Sequence, residues 1–322
     1  MTKQALTPAV LVLTMPFYPI RSRYDRRTLY PMDSTALMED YVRALRREIE
    51  SSAADYDDCE IRAVKVGGGI AGHAADEELG KLLRDLRELF TFSEDAQMVL
   101  NVHPGMISAE TLLACRRGQV DWLSVDYATA DPNESEALGR FLPPSAMDTS
   151  LLVLRSSSLK LSFDVLLGLP GQSRASLRRT LDTVLGYGAE RVVLRRLEAI
   201  PGTEFAAKDL ERFRSSSSPR LRLPDDSDCE NLRQYAEEYL HANCFLDRRE
   251  HCFTRENERF LFEEKEEKRW AQIGFGLGAR TQIDGIDARN ITDMEVYLHH
   301  SDEPEIITAH VNAEHAGEEF GL

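Results

Sequence analysis

The stretch "LKLSFDVLLGLP" (159–170), followed by "SRASLRRTLDTVLGYG" (173–188) and "RVVLRRLEAI" (191–200), decides the fold. The first segment predicts a strand and turn, the second a helix and the third a strand. Repeated along the chain, such units carry near-continuous apolar strands. Such strands are buried on both faces, which happens when helices cover a parallel sheet.

The same alternation extends toward the N-terminus. "PAVLVLTM" (8–15) predicts a buried first strand that ends at Pro16. In "STALMEDYVRALRREIESSA" (34–53), Leu37, Tyr41, Leu45 and Ile49 recur every four residues after a capping Ser34, the pattern of an amphipathic helix. Strands are predicted at 59–66, 96–102 and 120–127, with helices at 76–90 and 108–118. Six or more parallel strands point to an α/β fold of the TIM-barrel type, open or closed. Near 207–228 the texture shifts to "RFRSSSSPRLRLPDDSD", rich in serine, proline and charge. We read 1–207 as the barrel and 208–322 as a smaller second domain with a helix at "CENLRQYAEEYLHA" (229–242), a glycine-rich turn "IGFGLGAR" (273–280) and an acidic tail.

Composition narrows the function. The 322 residues are 42% hydrophobic and 29% charged, ordinary for a globular protein. A net charge of −16 argues against a general nucleic-acid binder, because phosphate repulsion would act over most of the surface. No apolar run approaches the roughly 18 residues of a membrane span, and "MTKQALTPAV" lacks a cleavable signal pattern. Five scattered cysteines suggest no disulfide framework and a reducing cytoplasm.

Several short motifs carry chemistry. "VKVGGGI" (64–70) ends a strand in Gly67, Gly68 and Gly69, whose bare backbone can approach a ligand or make a tight turn. Asp164 lies inside an apolar strand, where a carboxylate is costly without hydrogen-bond partners. It either serves a ligand or caps the following "GLPGQ" turn. His103, in "NVHPG", is the histidine placed for acid–base work at a barrel mouth. The group His241, Cys244, His251 and Cys252 fits no usual zinc spacing. Trp122 and Trp270 are expected in the core, and "EEKEEKR" (263–269) on a solvated helix face.

Taken in order, "MPFY", "VGGGI", "NVHPGMIS", "LSVDYATAD…LGR", "FDVLLGLPGQS…TLDTVL", "RLEAIPGTEF" and "IGFGLGARTQIDGIDARN" resemble the oxygen-independent coproporphyrinogen III oxidase-like branch of the radical S-adenosylmethionine (SAM) superfamily. The resemblance covers roughly 8–300 and implies a partial (βα)6 barrel with a small C-terminal domain. It breaks where that family places three cysteines for a [4Fe–4S] cluster, since the positions here are Tyr18, Ser22 and Asp25. Thiolates are the ligands such a cluster requires, so no cluster is expected. For the SAM pocket the resemblance implies Gly67, Gly68, Gly69, Arg140 and Asp164. Ile70-Ala71 replace the family's Thr-Pro, Asn101 stands where it usually has Glu, and Ala128 where it usually has Gln.

The loop "PFYPIRSRYDRR" (16–27) occupies the cluster's place. A guanidinium can take a ligand carboxylate bidentately and an aspartate its ammonium, so Arg21 or Arg23 with Asp25 would replace the missing iron; otherwise the loop is simply solvated. Two classes of function follow. One is a cluster-less enzyme that binds SAM or a related ligand at the barrel mouth and transfers a group to a small molecule by polar chemistry. The other is a catalytically inactive protein that stabilises or regulates a partner enzyme, or a tetrapyrrole carrier.

Overall fold

The computed structural model describes residues 6–18, 30–31, 34–67, 76–140, 149–150, 152–154, 157–197, 222–249 and 251–310. The parallel strands are β1 (Thr7–Thr14), β2 (Cys59–Gly67), β3 (Phe92–Val102), β4 (Trp122–Ala128), β5 (Lys160–Leu167) and β6 (Ala189–Arg196). Each pairs with the next in sequence order. Between them run α1 (Thr35–Ser52), α2 (Asp76–Leu89), α3 (Ala109–Arg117), α4 (Pro132–Ala137) and α5 (Arg174–Gly186). This is the α/β architecture of an open (βα) barrel.

The helices begin where local chemistry lets them. The Ser34 side chain accepts a hydrogen bond from the Leu37 amide, while Ser108 and Ser173 form reciprocal capping boxes with Thr111 and Ser176. Helix α1 then buries Met38, Tyr41, Val42, Leu45 and Ile49 against Leu11, Leu13, Val64 and Leu100 on one face of the sheet. Each fully buried aliphatic side chain there contributes about 1.5–3 kcal/mol.

Residues after 222 extend both edges of the same sheet. Helix α6 (Asp226–Ala242) leads into β7 (Phe245–Arg249) and β8 (Cys252–Arg255), and β8 pairs antiparallel with β6. At the opposite edge β9 (Ala271–Phe275) runs parallel to β1, and β10 (Arg280–Ile283), β11 (Ile286–Asn290) and β12 (Thr308–His310) continue antiparallel beyond it. The sheet thus has 12 strands. The boundary expected at 207/208 lies outside the described residues.

The join between β9 and the barrel rests on one glycine and one buried acid. Gly276 has φ +96, and a Cβ there would come within 2.6 Å of the Thr14 carbonyl and the Tyr41 hydroxyl. Its amide donates to Glu48 Oε2 at 2.8 Å, Asn290 Nδ2 donates to Oε1 at 2.6 Å, and the hydroxyl of Tyr297, on α7 (Met294–His300), donates to Oε2. Burial raises the Glu48 carboxyl to about 7 against these lowering hydrogen bonds.

The inner face of the sheet, away from the helices, is sealed at the amino ends of its strands. Val10, Val12 and Ala63 pack on Leu261 and Trp270, and Val99 and Trp122 on Phe260. Trp122 and Trp270 are therefore core residues, as expected. The reading of 263–269 as a solvated helix face is corrected at two positions. Glu263 forms an ion pair with Arg191 on the inner face, and Lys265 donates to Gln272 while burial lowers its pKa. A charge run shows no partner that lies 72 residues upstream.

Candidate functional site

Because β2 to β5 are parallel, Gly67, Val102, Ala128 and Leu167 finish at one end of the sheet. Such folds bind ligands at that end. Register fixes which side chains share the inner face there. Asn101 stands beside Ser124, Ser124 beside Ser162, and two residues further on Asp126 stands beside Asp164.

Two carboxylates in neighbouring registered positions would repel, and each has an arginine. Arg140 Nη1 donates to Asp126 Oδ1 at 3.0 Å, and Nη2 to the Asp126 carbonyl at 2.8 Å. This pair is buried on the arginine side. Arg195 Nε donates to Asp164 Oδ2 at 3.1 Å, with the Arg195 side chain 47% exposed. Sequence reasoning missed Arg195, since in "RVVLRRLEAI" it reads only as a strand turning polar at its end.

Two acceptors at this end have no hydrogen-bond partner among the described residues: Asn101 Oδ1 and Asp164 Oδ1, both shut off from solvent. A buried unsatisfied acceptor costs about 1–3 kcal/mol, so the fold carries this cost at the positions where a ligand's donors would offset it. The alternative role for Asp164 belongs to another residue. Gly168 and Gly171, with φ +80 and +74, shape the turn, and Gln172 closes it. Gln172 Oε1 accepts from the Gly168 amide at 2.7 Å and Leu169 at 3.3 Å, and Nε2 donates to the Leu166 carbonyl at 2.9 Å.

His103 meets a different fate from the one expected. It is only 1% exposed, its Nδ1 accepts from the Gly105 amide at 3.4 Å, and burial, reinforced by the Arg140 charge, lowers its pKa to about 3. Burial and the neighbouring Arg140 charge therefore favour its neutral form. Ala128 adopts φ +64 and packs on Leu138, Leu166 and Leu169, an apolar contact in place of a polar one. Among the described residues a Cβ at Gly67 would touch only the Leu13 carbonyl, at 3.9 Å. Gly68, Gly69, Arg21, Arg23 and Asp25 lie outside the described residues.

The donor set does not fit an iron–sulfur cluster. Tyr18 is a buried aromatic at the first of the three expected positions. The five cysteines sit elsewhere: Cys59 at the amino end of β2, Cys115 in α3, Cys229 in α6, Cys244 just after it and Cys252 in β8. None forms a disulfide. Burial raises the thiols of Cys59 to about 11 and Cys252 to about 12, away from the thiolate form. Among the described residues no three His, Cys, Asp or Glu side chains converge as metal ligands, the 241–252 group included. No described helix is long and apolar enough to cross a membrane.

A cavity of about 440 Å³ opens elsewhere, between α6 and the ends of β5 and β6. Most of its charges are matched within the wall, Arg196 with Asp226 and Arg233 with Glu230 and Glu237. It therefore lacks the unmet acceptors of the strand ends.

Comparison with known proteins agrees with this fold. The chain superposes on coproporphyrinogen III oxidase (HemN) from Escherichia coli, a radical SAM enzyme, with a TM-score of 0.77 at 18% identity, covering 97% of this chain and 74% of that one. The fold is that of HemN. In sequence it is similar to the heme chaperone HemW of Bacillus subtilis, 24% identical over 276 residues, covering 81% of this chain and 68% of the relative. Similar relatives are HemW of Mycobacterium tuberculosis, 27% identical over 68% of this chain, and the oxygen-independent coproporphyrinogen III oxidase of Helicobacter pylori, 24% over 80%. The chain spans 55% of the length of each of those two. No family model matches.

Proposed function

We propose that this chain is a cluster-less relative of the HemW and HemN proteins that binds SAM, or a molecule like it, at the carboxyl ends of the barrel strands, and that it carries or hands on a small molecule, of the tetrapyrrole class, to a partner enzyme in the cytoplasm. The observation that carries the reading is the pair of unpartnered acceptors, Asn101 Oδ1 and Asp164 Oδ1, on one face at the end where the fold binds ligands. The names of the relatives supply the tetrapyrrole class. Binding is favoured over catalysis because His103, the histidine at this end among the described residues, is buried with its pKa lowered.

When bound, SAM would supply an electrophilic sulfonium carbon. Asp164 and Asn101 would hold its hydroxyl or amine donors, Gly67 would leave room along the backbone, and Arg140 would keep Asp126 in place. A second reading, transfer of a methyl or aminocarboxypropyl group, needs only proximity in a desolvated pocket. It is favoured by the same acceptors, which would fix the ligand's orientation.

Calorimetry of the purified chain with SAM tests the binding reading, and saturable binding below millimolar concentration is expected. Iron analysis after anaerobic reconstitution tests the cluster. A cluster-like absorption band with about four irons per chain would overturn the cluster-less assignment, and absence of SAM and tetrapyrrole binding would overturn the site. Formation of S-adenosylhomocysteine or methylthioadenosine on incubation with candidate acceptors would favour the transfer reading.

A further inference from the structure

We propose that Arg195 is the specificity-determining cation of this site and takes a carboxylate of the bound ligand. This rests on the reading that the strand ends are a ligand site. Arg195 leaves β6 on the inner face and touches Asp164 through Nε alone, at 3.1 Å to Oδ2. Among the described residues neither of its Nη atoms makes a hydrogen bond, and the side chain is 47% exposed. A guanidinium held by one edge presents the opposite edge as a planar fork, the geometry that receives a carboxylate in two parallel hydrogen bonds.

Three features make this contact specific. Asp164 anchors the guanidinium, so little rotamer freedom is lost when a ligand arrives. Asp164 Oδ1 remains an acceptor beside it, so fork and acceptor together match a ligand whose carboxylate lies near a hydroxyl or amine donor. Arg140, another guanidinium at this end, is already engaged with the Asp126 side chain and carbonyl. Two ligands compatible with the proposed function carry such a carboxylate: the amino-acid end of SAM and the propionates of a tetrapyrrole. The structure assigns the carboxylate chemistry, and experiment separates the two sources.

The test titrates the full chain and its Arg195→Ala and Arg195→Lys variants with two matched ligand pairs. SAM is compared with 5′-methylthioadenosine, which keeps the nucleoside and lacks the carboxylate; haem is compared with its dimethyl ester. Arg195→Ala should weaken the carboxylate-bearing member of one pair at least tenfold and leave its carboxylate-free partner within about twofold. Arg195→Lys, which keeps the charge without the fork, should fall between. The pair that shows the discrimination identifies the source.

Wild-type protein that binds none of the four ligands overturns the proposed function, and this inference with it. Wild-type binding that Arg195→Ala leaves unchanged, or weakens equally for both members of a pair, overturns the inference alone. Circular dichroism showing a folded Arg195→Ala variant accompanies the titration. If that variant is unfolded, the Arg195→Lys comparison decides by the same criterion.

Discussion

Arg191 and Arg195 stand four residues apart on β6, face the same side of the sheet, and each meets a carboxylate. Arg191 is enclosed. It bonds to Glu263 through Nε and Nη2, donates from Nη1 to Ser162 Oγ at 2.6 Å, and lies 4.2 Å over the Phe260 ring. Its side chain is 7% exposed. Among the described residues Arg195 has one hydrogen bond, from Nε, and a neighbouring acceptor without a partner. The same pair of residue types is finished at the amino ends of the strands and left unfinished at the carboxyl ends. A complete polar network stabilises a fold, whereas an incomplete one costs stability and persists where something else completes it.

The contrast can be broken most forcefully at its closed half. Glu263→Ala leaves a charged Arg191 in an enclosed place, and unfolding free energy should fall by about 3–5 kcal/mol. Urea denaturation followed by circular dichroism checks this, and a loss under about 1 kcal/mol would show that the two arginines are not different in kind.

A pH series sharpens the comparison with a second completed network, that of Glu48. Its carboxyl is raised in the folded state from 4.5 to about 7. Its contribution is therefore fully present below about pH 4.5 and is lost as pH rises through about 7, by a few kcal/mol in all. His103 acts in the opposite sense, since its lowered pKa costs stability as pH falls below about 6.5. The expected signature of Glu48 is thus the difference between wild type and Glu48→Gln. Wild type should lose stability relative to the variant between about pH 4.5 and 7 and level off above that, and parallel curves would sink the assignment.

The smallest effect on folding belongs to the open half. Asp164→Ala should change stability by less than about 1 kcal/mol, because its ion pair is partly solvated and one oxygen is unpaired. The same substitution should weaken SAM binding by about 1.5–3 kcal/mol, the scale of a hydrogen bond to a charged group. If Asp164→Ala destabilises as much as Glu263→Ala, the distinction between finished and unfinished pairs fails.

The parts legible in the sequence were those with short-range causes. Ser34, Ser108 and Ser173 announced helix starts because a cap acts within three residues. The apolar runs announced parallel strands because burial on both faces leaves no room for alternation. Strands β7 to β12 were not legible, being short, and the two that join them to the barrel, β8 and β9, pair with segments far away along the chain. Asp164 could be singled out as a carboxylate in an apolar run, but Arg195 could not, since its meaning comes from an aspartate 31 residues before it. The burial of His103 was not legible either: sequence placed it at the mouth, and only the folded structure shows that it is 1% exposed there. The arginine loop at 16–27 falls largely outside the described residues, so its proposed part in holding a ligand stands with the binding experiments.

The parallel pairing of β9 with β1 has a kinetic side. Ala9 is matched with Ala271 and Leu13 with Phe275, so during synthesis β1 keeps one edge open until nearly all of the barrel has been made. That edge is apolar and flat, the kind that recruits other strands, and closing so long a loop is slow. Chaperone occupancy during synthesis should therefore be governed by how soon residues 271–275 arrive, and an early stop before them should yield aggregates rather than a smaller folded barrel.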